Sequence, residues 1–384
     1  MRYLVLALVW PHVSRWLKID RHISESTFAL IFLSVEVVSL LTQPLWGLAA
    51  DRARRRRSVL RILVLGSGVA YIALGRWGGQ LPLAGIWLLL LMAALLQNTS
   101  LPILNSIVLR FLGHDRMHRF AYYRVMGSIS FMVVLLATPL LLDTRFLGLS
   151  RATLFQIGGV LAILSVFLMQ WAPQRHETMH LRPGFGDLRL ILREHNLLFL
   201  YLALVIFNIC FGGLYMYIGP YFAVLHGSEA NYSLSYGLNV LGEVPMSFLA
   251  PVLVRRWGMK RLAGATMLYD AVRYTLIAFA PNAMTLSVIW ALGGPPTVGY
   301  IVILPMLIAA LAPAPLRSTA QNVSASIASL GSIVGLTVIS YTMHHYAGEQ
   351  LIWGYRWLFL RMAIGAAIAG CVVLWLVKEK QRQI

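Results

Sequence analysis

An all-α integral membrane fold of about twelve spanning helices, arranged as two six-helix halves, follows from three observations. The chain of 384 residues is 59% hydrophobic and only 12% charged, whereas soluble domains carry about 25% charged residues. Its mean hydropathy is +0.72. The apolar residues form continuous runs, not the alternation that a closed β-barrel would show. Basic residues recur in short blocks between alternate runs, the pattern that orients membrane helices. At about 20 apolar residues plus a loop per span, about a dozen helices fit this length.

The runs place spans 1 to 6 at roughly 3–17, 26–49, 59–75, 82–109, 121–143 and 151–172. A polar stretch opens with Pro173-Gln-Arg-His-Glu-Thr-Met-His-Leu-Arg-Pro-Gly and lasts to about Asn196. Spans 7 to 12 follow at roughly 197–223, 232–254, 261–280, 284–311, 318–344 and 354–377. The chain therefore divides into an N-terminal bundle (1–172), a central loop (173–196) and a C-terminal bundle (197–384), as expected of a protein built from repeats. The loop after span 8, Arg255-Arg-Trp-Gly-Met-Lys-Arg261, echoes the loop after span 2. It keeps the basic residues and lacks the acid.

Span 1 is short. About 15 residues cross three quarters of a core about 30 Å thick, and Pro11, His12 and Arg15 come soon after its start. No small-residue cleavage site follows, which argues against a signal peptide. The expectation is a first helix that has lost its N-terminal turns, with a genuinely short helix as the alternative.

The net charge of +18 does not signal nucleic-acid binding. Its carriers sit at every second helix end: Arg52 and Arg54 to Arg57, Arg116 and Arg119, Arg175 to Arg193, Arg255, Arg256 and Lys260, Arg317, Lys378 and Lys380. The opposite ends hold chiefly Lys18, Arg21, Arg76 and Arg145. The surplus encodes orientation, places both termini in the cytoplasm, and suits contact with anionic lipid. A bacterial inner membrane is the expected location. Cys210 and Cys371 both fall inside spans, so no disulfide framework is implied. His344-His345 and His114/His118 lack further ligands nearby, and no phosphate loop is present. No cofactor and no metal are expected, and the chain does not read as an enzyme.

Ionisable groups inside a spanning helix are costly and mark functional candidates. Glu36, Glu243, Asp270 and Arg273 lie deepest, with Arg124 near the start of span 5. Glu243 is the first choice, since a carboxyl in a low-dielectric cavity can exchange a proton near neutrality. Arg273 could hold its charged form by a paired hydrogen bond, and the alternative is a structural ion pair. Asp270 and Arg273, three apart, can pair on one helix face. Glu36 either faces the cavity to bind solute or proton, or bonds the neighbouring helix through Ser34 or Ser39.

Asn105 is a candidate polar contact to solute, and Ser106 a candidate for helix packing. Span 7 is rich in aromatic residues. Phe207, Phe211, Tyr215 and Phe222 lie near one face, with Asn208, Tyr217 and Tyr221 among them. They suit a wall for sugar rings, nucleobases or aryl acids. An interfacial belt (Tyr221, Phe222) and ordinary packing are the alternatives. Gly212-Gly213, Gly219-Pro220, Gly293-Gly-Pro-Pro296 and Pro305 would break spans 7 and 10 and serve as bending points.

The loop after span 2 reads Gly47-x-x-x-Asp51-Arg52-x-x-Arg55-Arg56. With Arg124-Val-Met-Gly127-Ser128, Glu243-Val-Pro245 and Arg317-Ser-Thr-Ala-Gln321, it resembles the branch of the major facilitator superfamily that holds lactose permease, nucleoside–proton symporters and the 3-phenylpropionic acid transporter. The resemblance extends over essentially the whole chain. It implies a transporter in the lipid bilayer that moves solute and protons by alternating access, and a monomer is expected. It implies that Arg124 and Glu243 bind solute, that Glu243 and Arg273 handle the proton, and that Asp51 and Arg55 brace the cytoplasmic side. Asn105 stands where lactose permease has a carboxylate, span 10 lacks that permease's histidine, and Arg54 replaces the usual glycine of the loop. Proton-coupled import of a small organic solute such as an aromatic acid, sugar or nucleoside is the reading. A drug–proton antiporter and a non-transporting sensor on the same fold are the alternatives, and span 5 lacks the Gly-x-x-x-Gly-Pro signature of the former.

Overall fold

The computed structural model describes residues 2–23, 25–53, 56–113, 116–142, 148–169, 188–211, 214–227, 229–344, 346 and 350–378. Among these residues the secondary structure is helical throughout, with no strand. Spans 2 to 6 are single helices: Glu25–Arg52, Arg56–Trp77, Leu83–Leu112, Phe120–Leu142 and Arg151–Leu168. Spans 8, 9, 11 and 12 are Glu229–Trp257, Met259–Ala278, Arg317–His344 and Leu351–Leu376. Pro44, Pro102, Pro245 and Pro251 lie inside these helices, which membrane helices tolerate where neighbours re-satisfy the freed carbonyls. Eight of the described helices are long and apolar enough to cross a bilayer.

Three spans are built from pieces. Span 1 is an α-helix over Arg2–Arg15 continued by a π-turn over Trp16–Asp20, so it carries on past the expected end at Leu17. Span 7 comprises His195–Phe211 and Leu214–Val224, with Gly212 and Gly213 outside the described residues. Span 10 divides into Ala283–Ala291, Gly294–Val298, a π-turn over Gly299–Ile303 and Leu304–Leu311. Its break falls at the Gly-Gly-Pro-Pro sequence, where proline removes an amide donor and glycine relaxes the backbone. Most of the central loop lies outside the described residues, and its last part forms a short helix, Leu188–Arg193.

The same helix pairings occur twice. Span 1 packs on spans 5 and 6, span 2 on span 4, and span 3 on span 6; six spans later, 7 packs on 11 and 12, 8 on 10, and 9 on 12. Glycine lets the helices of both halves approach closely. A Cβ at Gly159 of span 6 would lie 2.5 Å from the Gly68 carbonyl of span 3, and Gly264 of span 9 faces Gly370 of span 12 in the equivalent place. Such small residues let helix backbones meet where lipid offers no hydrophobic drive to pack. One apolar core, around Val5, Leu63, Ile103 and Phe155, lies in the first half. The other fills the second half and continues across the seam to Leu48, Leu109, Leu112, Met117 and Phe120. Leu41, Ile62, Leu88, Phe167 and Trp375 point outward, the lipid-facing surface of such a fold.

Candidate functional site

Spans 2, 4 and 5 of the first half meet spans 11 and 8 of the second. Two polar clusters lie on this seam. The first is at the basic end, where span 2 runs into its arginine loop. Asp51 is 1% exposed. Its Oδ2 accepts from the Thr319 amide at 2.7 Å and the Thr319 hydroxyl at 2.8 Å, and its Oδ1 from the Ser318 amide at 3.3 Å. Those amides open span 11, and the first turn of a helix has no internal acceptors. A carboxylate from one half thus caps a helix of the other, aided by the positive end of that helix's dipole. Arg56 and Arg110 reach Asp51 Oδ1 at 3.1 and 3.4 Å. Arg110 also donates to the Ala314 carbonyl at 2.7 Å, and the Ser106 and Ser318 hydroxyls bond at 2.7 Å. Gly47 is required here, because a Cβ would sit 2.8 Å from the Thr319 Cα. Arg52 is half-buried beside this cluster's loop, while Arg55 lies outside the described residues.

The second cluster is deeper. The Arg124 guanidinium stands 4.2 Å from the centre of the Tyr3 ring, and its Nη1 donates to the Ser128 hydroxyl at 3.1 Å. Ser128 in turn donates to Glu243. The path Tyr3–Arg124–Ser128–Glu243 joins spans 1, 5 and 8 and crosses the seam between halves. Glu243 is 6% exposed, so a charged carboxylate there depends on the adjacent guanidinium and hydroxyl. Gly127 packs directly on the Tyr3 ring.

Arg273 takes the same-face partner that its spacing allows: it binds Asp270 at 2.9 Å through Nε and 2.8 Å through Nη2, with its guanidinium over the rings of Tyr274 and Trp290. The reason is local: residues three apart share a helix face, whereas span 8 presents Glu243 towards span 5. Removing one member of a buried pair strands the other. Asp270→Asn is expected to cost about 3–5 kcal/mol, read as a large fall in the melting temperature of the detergent-solubilised protein. The double variant Asp270→Asn/Arg273→Met should recover most of it; a single variant as stable as the parent would refute the pair's structural role.

Glu36 faces Ser329 of span 11. Ser34 and Ser39 serve Trp87 and Asn98 instead, at 2.8 and 3.4 Å. Phe207 and Phe211 of span 7 stack with Tyr300 of span 10, ring centroids 5.4 to 6.3 Å apart. Asn208 donates to Leu204 at 2.8 Å, accepts from Tyr300 at 3.4 Å, and packs on Gly331 of span 11. A cavity of about 10 Å³, the size of one water, lies between Phe207, Tyr300, Thr266 and Asp270. Asn105 is half-buried. The Tyr215 side chain lies outside the described residues. Tyr221 and Phe222 are 0% and 1% exposed, which corrects the belt reading: Tyr221 stacks on Tyr355 and bonds the Ile277 carbonyl at 3.2 Å.

Sequence reasoning passed over four contributors. Arg2 donates to Ser100 at 2.6 Å and Ser67 at 3.3 Å; it was excluded because the apolar run begins one residue later. Arg110 falls one residue beyond the expected end of span 4. Tyr3 carries no signal of its own, and Thr319 shows only as part of the Arg317–Gln321 segment, since a ring under a cation and a capped amide are tertiary facts.

A twice-repeated helix arrangement with charged residues on its seam is the build of a membrane transporter. The chain matches the MFS_1 like family over residues 1–372, and it belongs to that family, whose members are transporters and not enzymes. It is 23% identical over 281 residues to the uncharacterized transporter YwbF of Bacillus subtilis (strain 168), an alignment covering 71% of this chain and 66% of that protein. It is 24% identical over 286 residues to the maltose permease of Geobacillus stearothermophilus, covering 73% and 69%. The chain thus spans about two thirds of the length of these curated relatives. Its fold is similar to that of the human organic anion transporter MFSD10, with a TM-score of 0.74 at 15% identity over 97% of this chain and 96% of that one. It is also similar to that of the nucleoside transporter NupG, with a TM-score of 0.67 at 13% identity over 98% and 97%.

Proposed function

We propose that the chain is a secondary transporter that imports a small organic solute together with protons by alternating access. The observation that carries this reading is the path from Tyr3 through Arg124 and Ser128 to Glu243, which ties the two halves at a buried carboxylate. A proton on Glu243 removes its charge, loosens its hold on Ser128 and Arg124, and so couples protonation to the seam. Arg124 then takes the supporting role that sequence reasoning had given to Arg273. Arg124 favours an anionic or hydroxyl-rich solute, in line with the maltose permease among its relatives. Asn105, Glu36, Phe211, Asn208 and Tyr215 supply the remaining contacts.

In this reading residues 1–172 and 197–384 are the two moving bodies of a monomer, and 173–196 is their tether. The basic end faces the cytoplasm of a bacterial inner membrane, with both termini on that side. The Asp51 cluster, with Gly47, Arg52, Arg55 and Arg56, is the cytoplasmic gate, closed here.

The test is proton movement in liposomes loaded with a pH dye, challenged with aryl acids, sugars and nucleosides. Solute-dependent internal acidification is expected in the parent. It should vanish in Glu243→Gln, which retains solute exchange. Acidification that survives in Glu243→Gln would move the proton site elsewhere, and solute binding without any proton flux would overturn the coupling.

A further inference from the structure

A cavity of about 260 Å³ opens at the basic end between the spans 5 and 8, lined by His118, Arg119, Tyr122, Pro251, Val252 and Arg255. It lies on the seam, with half of its lining from each half of the protein. Its polar lining is wholly basic or hydroxylic, and among the described residues no carboxylate forms an ion pair with Arg119 or Arg255. Arg255 donates to His118 Nε2 at 2.6 Å. Burial, and then the charges of Arg255 and Arg119, hold the His118 imidazole below the ordinary histidine range. Like charges gathered in this way await an anion.

The rim is apolar and faces outward. Tyr122 and Val252 are 40% and 46% exposed, and one turn deeper along the same faces stand Met126 at 57% and Phe248 at 47%. The Tyr122 and Phe248 rings lie 5.9 Å apart and close the seam beneath the cavity. A cationic cup continuous with a lipid-facing apolar strip fits an amphiphile better than a free ion.

We propose that this cavity binds the phosphate head of an acidic phospholipid, its acyl chains running along Met126 and Phe248. Arg119 of the first half and Arg255 of the second would both contact the phosphate. The lipid therefore bridges the halves and favours the arrangement in which this end is closed.

The experiment is native mass spectrometry of the protein released from phosphatidylcholine nanodiscs containing increasing phosphatidylglycerol. One phosphatidylglycerol should be retained preferentially. Arg119→Gln/Arg255→Gln should weaken that retention about 10- to 30-fold, while Arg261→Gln, an exposed charge loss at the same end, should leave it unchanged. Val252→Trp fills the cavity without removing charge and should also abolish retention, which covers the case that the double variant fails to fold. Equal retention in both cavity variants would overturn the site. Displacement of the lipid by inorganic phosphate alone would overturn the amphiphile in favour of a free anion.

Discussion

Asp51→Ala is expected to open the basic end of the molecule. The carboxylate accepts from two backbone amides, one hydroxyl and two guanidinium groups, and its removal leaves the buried Arg110 without its counter-charge. Breaking a buried pair from one side costs about 3–5 kcal/mol, and each 1.4 kcal/mol or so is a factor of ten in an equilibrium. The closed arrangement should therefore lose about two to three and a half decades in population. Spin labels at the exposed positions Arg116 and Trp257, in a background lacking Cys210 and Cys371, would read the separation of the halves. A single short distance is expected in the parent and a longer, broader distribution in the variant. Thr319→Val removes only one hydroxyl bond, about 1 kcal/mol, and should shift the distribution slightly. Identical distributions for parent and Asp51→Ala would dismiss the carboxylate as a latch.

The second large effect concerns folding of the first half. Gly159→Ala should abolish or nearly abolish recovery of monodisperse protein. The new methyl would lie 2.5 Å from the Gly68 carbonyl and 3.0 Å from the Ile72 amide nitrogen, and backbone cannot step aside as a side chain can. Overpacking of this kind costs about 1–3 kcal/mol, and occasionally more. The equivalent crossing in the second half is looser. A methyl at Gly370 would meet the Leu268 side chain at 3.0 Å and the Gly264 carbonyl at 3.1 Å, so Gly370→Ala should cost less. Gly79→Ala, with nothing within 4 Å, is the control. Normal yield and melting temperature for Gly159→Ala would mean that spans 3 and 6 are not held at backbone contact.

The two crossings also show what one dimension conveys and what it withholds. Apolar run lengths located the helices, because hydrocarbon thickness sets how many residues cross it, and eight of those among the described residues are long and apolar enough to span a bilayer. The Gly-Gly-Pro-Pro break in span 10 was legible for the same reason: backbone chemistry is local. Rotation about a helix axis is not local. Glu243 and Arg273 share the membrane interior by hydropathy, yet one turns to span 5 and the other to its own helix. Asp51 was visible as a motif, but its acceptors' partners in span 11 lie 267 and 268 positions away. Arg2, one residue outside an apolar run, was invisible to a rule that looks only for charge within such runs.

The Asp51 side chain is 0% exposed and its partner Arg56 only 13%, whereas Arg119 and Arg255 stand open to water at the same end. Mobile ions screen exposed charges within about 10 Å at 0.1 M salt, and screen buried pairs far less. The two charge clusters at this end therefore respond differently to ionic strength, one dry and one wet. Raising the salt concentration is expected to loosen an anion held by Arg119 and Arg255 while leaving the Asp51 cap nearly untouched, so ionic strength acts on one without disturbing the other.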